Sequence, residues 1–340
     1  MTVPLSVLDL APVVSGSTHA EALADTIAVA QAADRLGYER FWVAEHHGMP
    51  MIASSSPPVV IGAIAAATER IRVGSGGVML PNHSSLVVAE QFGTLVALHG
   101  DRIDLGLGRA AGTDPVISAA IRRSTGVESV DDFPQQVIEL LAYFGTIDAL
   151  DGGQGSRIIA IPGLGDAPEL WLLGSSDFSA RLAGAMGLPF AFAHHFAGGE
   201  MTPVAFELYR RSFTPSVMMR EPKSMIAVAT AVGETAADAR RIALPQSLIF
   251  VKMRTGQPLG RVPTIEEAEA HPWTDAENAW VDQRLSLQAV GTADFVRERL
   301  DTLVSETGAD GVILAPQGSA REQRIATLEA LAPAAVPAAR

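Results

Sequence analysis

Eight short, almost continuously apolar runs recur along this chain, and each is followed by a stretch with the spacing of an amphipathic helix. The runs are Val3–Ala11, Arg40–Ala44, Ile71–Ser75, Ile103–Gly108, Leu170–Gly174, Phe190–Ala193, Met225–Val232 and Gly311–Ala315. A strand with one wet face alternates apolar and polar residues. Runs without that alternation suit parallel strands buried on both faces. Eight such strands with helices between them are the arithmetic of a (β/α)8 TIM barrel of the α/β class. A doubly wound open sheet is the rival, because a count of units does not establish closure.

The helix signals agree with this alternation. Thr18-His19-Ala20-Glu21 has capping-box spacing, and Gly37 stops the helix after Leu36. Further helices are expected after Pro57-Pro58 and over Ser84–Leu98, Asp132–Phe144, Ser176–Gly187, Pro203–Arg211, Ala236–Ala243, Thr292–Ser305 and Ala320–Leu331. Residues 245–290 break the pattern with Pro258, Pro263, Pro272 and a charged stretch at Thr264–Ala270. They read as an insertion before the last βα unit, a lid or a partner surface. Asp148–Arg157 reads as a surface loop. Residues 1–331 therefore read as one barrel domain, with 332–340 as a tail.

Composition removes several chemistries. The chain has no cysteine, so disulfides, thiolate metal sites and cysteine nucleophiles are excluded. Of 25 basic residues only Lys223 and Lys252 are lysines, which disfavours Schiff-base mechanisms. A net charge of −13 disfavours nucleic acid and anionic lipid as partners. No apolar run reaches the length of a membrane span, and the first residues lack the basic start of a secretory signal, so a cytoplasmic location is expected.

In a barrel of this kind the active site forms where the strands end. Here those ends carry glycine and polar residues: Glu45-His46-His47-Gly48, Gly74-Ser75-Gly76-Gly77, Gly106-Leu107-Gly108-Arg109, Gly174-Ser175-Ser176 and His194-His195. Gly174-Ser175-Ser176-Asp177-Phe178-Ser179 lies between a strand and a helix, where unpaired amides and the helix dipole favour an anion. Arg109 on the neighbouring strand adds a bidentate guanidinium, and together they form a phosphate cradle. Ser176 as a plain helix cap is the alternative. Glu45 and His46 are neighbours on a strand, so their side chains point to opposite sides. His46 is the chemically sensible general base. His47 and His83 read as loop histidines bonded to backbone. No metal site is expected, and a metal-dependent hydrolase ranks below the other readings. The third glycine of a dinucleotide-binding G-x-G-x-x-G is missing after Gly106 and Gly108.

The ordered set Phe41-Trp42-Val43-Ala44-Glu45-His46-His47, Val73-Gly74-Ser75-Gly76-Gly77-Val78-Met79-Leu80-Pro81, Leu105-Gly106-Leu107-Gly108-Arg109, Leu172-Leu173-Gly174-Ser175-Ser176, Gly187-Leu188-Pro189 and Val290-Gly291-Thr292 resembles the bacterial luciferase-like monooxygenase family. The likeness runs from Leu5 to about Pro316 and is to the flavin-using, alkanal-monooxygenase-like branch. It implies a barrel that binds reduced FMN at the C-terminal strand ends. It also implies a two-component system in which a separate NAD(P)H:flavin reductase supplies FMNH2. This chain would then react it with O2 and a small organic substrate such as an aldehyde or ketone, through a flavin hydroperoxide. By position, the resemblance places Glu45 near the flavin and makes His46 the catalytic histidine. It matches Gly76-Gly77 to a non-proline cis peptide under the flavin ring, and gives the phosphate to Arg109, Ser175, Ser176 and Ser179. His194 stands at a substrate position, beside the flavin and aldehyde site, where luciferase has an aromatic residue, and there this chain departs from the luciferase pattern. The resemblance also implies a homodimer, to which an apolar helix at Val59–Ala67 could contribute. A deazaflavin-dependent dehydrogenase on the same barrel and a non-catalytic flavin-binding subunit are the alternatives.

Overall fold

The computed structural model describes residues 3–110, 115–122, 132–147, 158–197, 199 and 201–333. In chain order the elements are β1 (Leu5–Asp9), α1 (His19–Leu36), β2 (Arg40–Val43), α2 (Pro57–Ala66), β3 (Arg72–Met79), α3 (Ser85–His99), β4 (Ile103–Gly108), α4 (Pro115–Arg122), α5 (Phe133–Tyr143), β5 (Glu169–Gly174), α6 (Asp177–Met186), β6 (Phe190–Phe192), α7 (His194–Ala197), α8 (Met201–Ser212), β7 (Ser224–Val232), α9 (Ala236–Arg254), α10 (Ile265–Glu269), α11 (Asp275–Ser286), β8 (Ala289–Gly291), α12 (Ala293–Thr307), β9 (Gly311–Pro316) and α13 (Arg321–Leu331). The loop expected at Asp148–Arg157 and the end of the tail lie outside the described residues. No helix among the described residues is long and apolar enough to cross a membrane.

The strands run in the order β6-β5-β4-β3-β2-β1-β9-β7, and β6 pairs back onto β7. Every one of these pairings is parallel, so the sheet closes and the open-sheet rival falls. The eight apolar runs are the eight barrel strands. The chain adds one short strand the pattern does not show: β8 pairs with Thr230–Val232 of β7, beyond the end of the β6 ladder at Ile226. Three residues are too few for a period to register.

Alternation within the strands builds two cores. Val7, Phe41, Val73 and Leu105 point outward and are sealed by the helices. Leu8, Trp42, Trp171, Ala191, Met225, Ala227 and Ile313 fill the barrel interior. Trp42 and Trp171 meet edge to face, with ring centres 5.6 Å apart. Both faces are therefore apolar, which is why these strands read as unbroken apolar runs.

The start of α1 is the expected capping box: the Glu21 amide donates to the Thr18 hydroxyl at 3.2 Å and the Thr18 amide to the Glu21 carboxylate at 2.7 Å. Gly37 ends it at φ 82°, a left-handed conformation that favours glycine. The seventh helix corrects its expected boundary. It does not stop at Ala243 but runs as α9 through Pro245 to Arg254. Leu244, Leu248, Ile249 and Val251 are all buried, and that packing outweighs the one hydrogen bond the proline lacks. The expected insertion thus begins inside a helix and contains α10 and α11.

Candidate active site

Because every barrel strand is parallel, the segments after β1, β2, β4, β5, β6 and β9 emerge at one rim. After β2 the extended backbone continues: the Ala44 amide donates to the Asp9 carbonyl at 3.2 Å and the His46 amide to the Ser54 carbonyl at 3.1 Å. Alternation then sends Glu45 and His47 one way and His46 the other. Glu45 is fully buried. Its Oε1 accepts from Nε2 of His47 at 2.8 Å and of His83 at 2.7 Å, and its Oε2 accepts from the Met79 amide at 3.1 Å. Burial pushes its pKa up, but the hydrogen bonds and charge of His83, then His47, then the Met79 amide outweigh this and hold it below the usual value. A carboxylate only accepts, so both imidazoles carry their proton on Nε2. The ligand atoms of Glu45, His47 and His83 lie within 4.8 Å of one another, close enough to share a cation. Two N–H···O bonds to one oxygen account for that closeness on their own.

This arrangement differs from the expectation for His47 and His83. They bond a buried carboxylate, and the two-residue spacing of Glu45 and His47 is the signal that places them on one side. His46 faces a cavity instead. Glu45 and His46 therefore act at different places: Glu45 fixes the loop after β3 and two imidazoles, while His46 meets whatever fills the cavity.

β3 carries a register shift between Ser75 and Val78, and the Gly76–Gly77 peptide within it is cis. Close packing crowds a side chain at both positions. A Cβ on Gly77 would lie 2.7 Å from the Gly106 carbonyl oxygen, and one on Gly76 would lie 2.7 Å from Leu8 Cδ1. Ser75 stitches the bulge to β4: its hydroxyl donates to the Gly106 carbonyl at 2.8 Å and accepts from the Gly106 amide at 3.0 Å.

Gly108 of β4 lies opposite Leu173 of β5, so Arg109 and Ser175 follow from adjacent strands. The Arg109 guanidinium stacks on Phe178 in the first turn of α6, 4.1 Å from the ring centre. Ser176 is the N-cap of that ten-residue helix, and its side chain makes no capping bond. Ser175 and Ser176 are half-buried, whereas Ser179 is buried and its hydroxyl donates to the Ser176 carbonyl at 2.9 Å. Cation, helix amides and two serine hydroxyls suit a phosphomonoester, which needs donors and positive charge. Ser179 contributes by shaping the turn, since its proton is already used.

The cavity itself, about 150 Å3, is walled by Leu8, Leu10, His46, Met51 and Ile249 among others. His195 lines it; His194 does not. His194 is buried, with Nδ1 bonded to the Thr202 hydroxyl and Nε2 to the Leu287 carbonyl, each at 2.7 Å. The sequence expectation had put His194 at the substrate. The turn into α7 rotates the pair so that the next residue takes that place. Burial, then the positive neighbours Arg284, His194 and His46, push the His195 pKa down to about 4 against its bond to the Ala227 carbonyl. His195 is therefore neutral near pH 7. The remaining wall comes from α9 and α11, with Gln246, Phe250, Met253 and Arg284. No motif marked these residues, because they lie in the stretch that broke the alternation. From the sequence, the stretch Asp114–Val130 is also expected to shape the pocket; residues 114 and 123–130 of it lie outside the described residues.

Comparison with known proteins agrees with this architecture. The luciferase-like monooxygenase family model matches residues 4–311. The chain is 42% identical over 328 residues to a luciferase-like monooxygenase of Escherichia coli, covering 96% of each chain. It is 34% identical over 323 residues to the N-acetyl-S-alkylcysteine monooxygenase of Bacillus subtilis, covering 94% of this chain and 95% of that one. Among solved structures, apo-MsnO8 superposes with a TM-score of 0.87 at 37% identity, covering 97% of both chains. The same fold, at 19% and 13% identity, is shared with the oxygenating constituent of 3,6-diketocamphane monooxygenase in complex with FMN (TM-score 0.71, 97% of both chains) and with an F420-dependent secondary alcohol dehydrogenase (TM-score 0.65, 97% of this chain and 99% of that one). On its sequence, its closed barrel and its rim, the chain belongs to the luciferase-like monooxygenase family.

Proposed function

We propose that this protein is the oxygenase of a two-component system: it takes FMNH2 from a separate NAD(P)H:flavin reductase and uses O2 to put one oxygen atom into a small organic substrate. The observation that carries the reading is the joint placement, on one rim, of Arg109 stacked at the start of α6 and His46 on the wall of an apolar cavity. The family and the FMN-bound neighbour support the choice of cofactor. The bound flavin would supply the activation of O2. The protein's own residues do the rest. Arg109, Ser175, Ser176 and the α6 amides hold the phosphate, and the backbone at Gly76–Gly77 leaves room for a flat ring. Leu8, Leu10 and Met51 keep water out, and His46 holds or moves a proton at the reacting edge. Glu45 is a positioning residue, because it fixes the β3 loop through Met79 and His83. The exposed Val59 of α2 and Val87 of α3 support a homodimer, which light scattering would test.

Anaerobic titration with FMNH2, then O2 with aldehydes, ketones and thioethers, tests the reading. Binding of FMNH2 is expected, with an oxygenated product on aeration. Arg109→Ala should weaken FMNH2 binding at least tenfold by removing a charge-assisted pair, about 1.5–3 kcal/mol. His46→Ala should keep flavin binding and lose product. A chain that ignores FMNH2 but binds F420 would make the deazaflavin dehydrogenase correct.

A further inference from the structure

Arg284 is a half-buried cation that no carboxylate among the described residues neutralises. It projects from α11 into the cavity wall. Its guanidinium lies 3.7 Å from the centre of the Phe250 ring of α9, and Nη2 donates to the His195 carbonyl at 3.1 Å. Nη1 is buried with no hydrogen-bond partner. Among the described residues Arg284 forms no ion pair. The one carboxylate on the cavity wall among the described residues, Asp9, is already bonded to Arg324, the Thr26 hydroxyl and the Ala11 amide. Burial pushes the Arg284 pKa down to about 10, so it stays charged near pH 7. An unpaired buried charge is costly, and an orphaned donor on it adds to that cost. A site retains such a group at a profit only when a ligand supplies the missing anion.

The surroundings limit what that ligand is. Met49, Met51, Ile249 and Met253 offer an apolar, deformable wall next to the cation. Phe250 holds one face of the guanidinium. Arg109, the cation assigned to the flavin phosphate, does not line this cavity.

We propose that the oxygenated substrate is an apolar molecule bearing a carboxylate, paired with the Arg284 guanidinium, its carbon chain against the methionines and its reacting atom toward His46. This rests on the oxygenase reading above. Octanoate and 1-octanol serve as matched probes, titrated calorimetrically into the flavin-free chain and into its anaerobic FMNH2 complex. Octanoate is expected to bind at least tenfold more tightly than 1-octanol in one of these forms. Arg284→Met should erase that preference, and Arg284→Lys should keep part of it. Equal binding of the two probes, no binding of octanoate, or unchanged octanoate affinity in folded Arg284→Met overturns the proposal. Loss of FMNH2 affinity in Arg284→Met would also overturn it, by giving the residue to the cofactor. A wild-type chain that binds octanoate selectively but not FMNH2 would instead reject the oxygenase reading alone.

Discussion

At the N-terminal mouth of the barrel, Arg40, Arg72 and Lys223 form with Glu39, Asp104 and Glu169 a set of charges that neutralise one another. Arg40 reaches Asp104 at 2.8 Å and Glu169 at 3.2 Å, Arg72 reaches Asp104 at 2.7 Å, and Lys223 reaches Glu169 at 2.9 Å. Trp42 and Trp171 donate their indole N–H groups to the same two carboxylates. At the C-terminal mouth Arg284 has a buried, unpartnered Nη1, Arg109 is stacked on a phenylalanine, and His46 lines a cavity. The strands are the same eight, so the barrel does not dictate the difference. One end uses charge to close a plug beneath the tryptophans, and the other presents polar groups to a ligand.

That contrast is broken most sharply at Asp104. Desolvation pushes its pKa up and the two guanidiniums pull it back. Asp104→Asn removes that compensation and leaves Arg40, 2% exposed, with only part of its countercharge. A loss of about 3–5 kcal/mol in unfolding free energy is expected, read from denaturant midpoints. Arg284→Met, in the opposite mouth, should change stability by no more than about 1 kcal/mol, because it removes a charge that has no carboxylate partner among the described residues. Equal losses in the two variants would mean that both ends are plugs.

A smaller effect separates the two glycines of β3. The Cβ of Gly77→Ala would press on the Gly106 backbone, which cannot move without disturbing the β3–β4 ladder. The Cβ of Gly76→Ala would press on the end of the Leu8 side chain, which can rotate. We expect about 2–3 kcal/mol for the first and about 1 kcal/mol for the second. Reduced-FMN affinity should fall in both, since the flavin ring is proposed to lie against the Gly76–Gly77 backbone. Equal stability losses would show that the side chain at position 8 is as rigid as backbone.

Which parts of this site were legible follows from the range of the interactions. The barrel strands, the strand-end glycines and the placement of Arg109 at the start of α6 depend on residues within one βα unit or on neighbouring units, so order along the chain reveals them. Glu45 and His46 were legible as residues, and their divergence follows from alternation. His83 was not, because its partner lies 38 positions away and only the β2–β3 register brings it to Glu45. Arg284 was hidden for the same reason: α11 meets α7 across 89 residues, in a stretch whose prolines masked its order. His195 was missed by one residue, because α7 begins at His194 and ends the strand's alternation there.

The smallest effect is a dependence on pH set by the C-terminal mouth. His195 is held at about 4 and His194 is also lowered, in both cases first by burial. Each folded pKa lies below the ordinary value of 6.5, so between those limits the unfolded chain binds more protons. Stability is therefore full above about pH 6.5 and falls as pH drops toward 4. Half-exposure of His195 limits its share to about 1–2 kcal/mol. Glu45 acts in a lower window: its lowered pKa keeps its contribution intact down to its ordinary value near 4.5 and loses it only below. The ion pairs of the N-terminal mouth add no histidine to the upper window. Unfolding midpoints of the wild type should thus decline from pH 6.5 to 4.5, and His195→Gln should flatten part of that decline. Parallel curves for the two proteins would mean that His195 keeps an ordinary pKa, and that the cavity beside Arg284 is wetter than its lining implies.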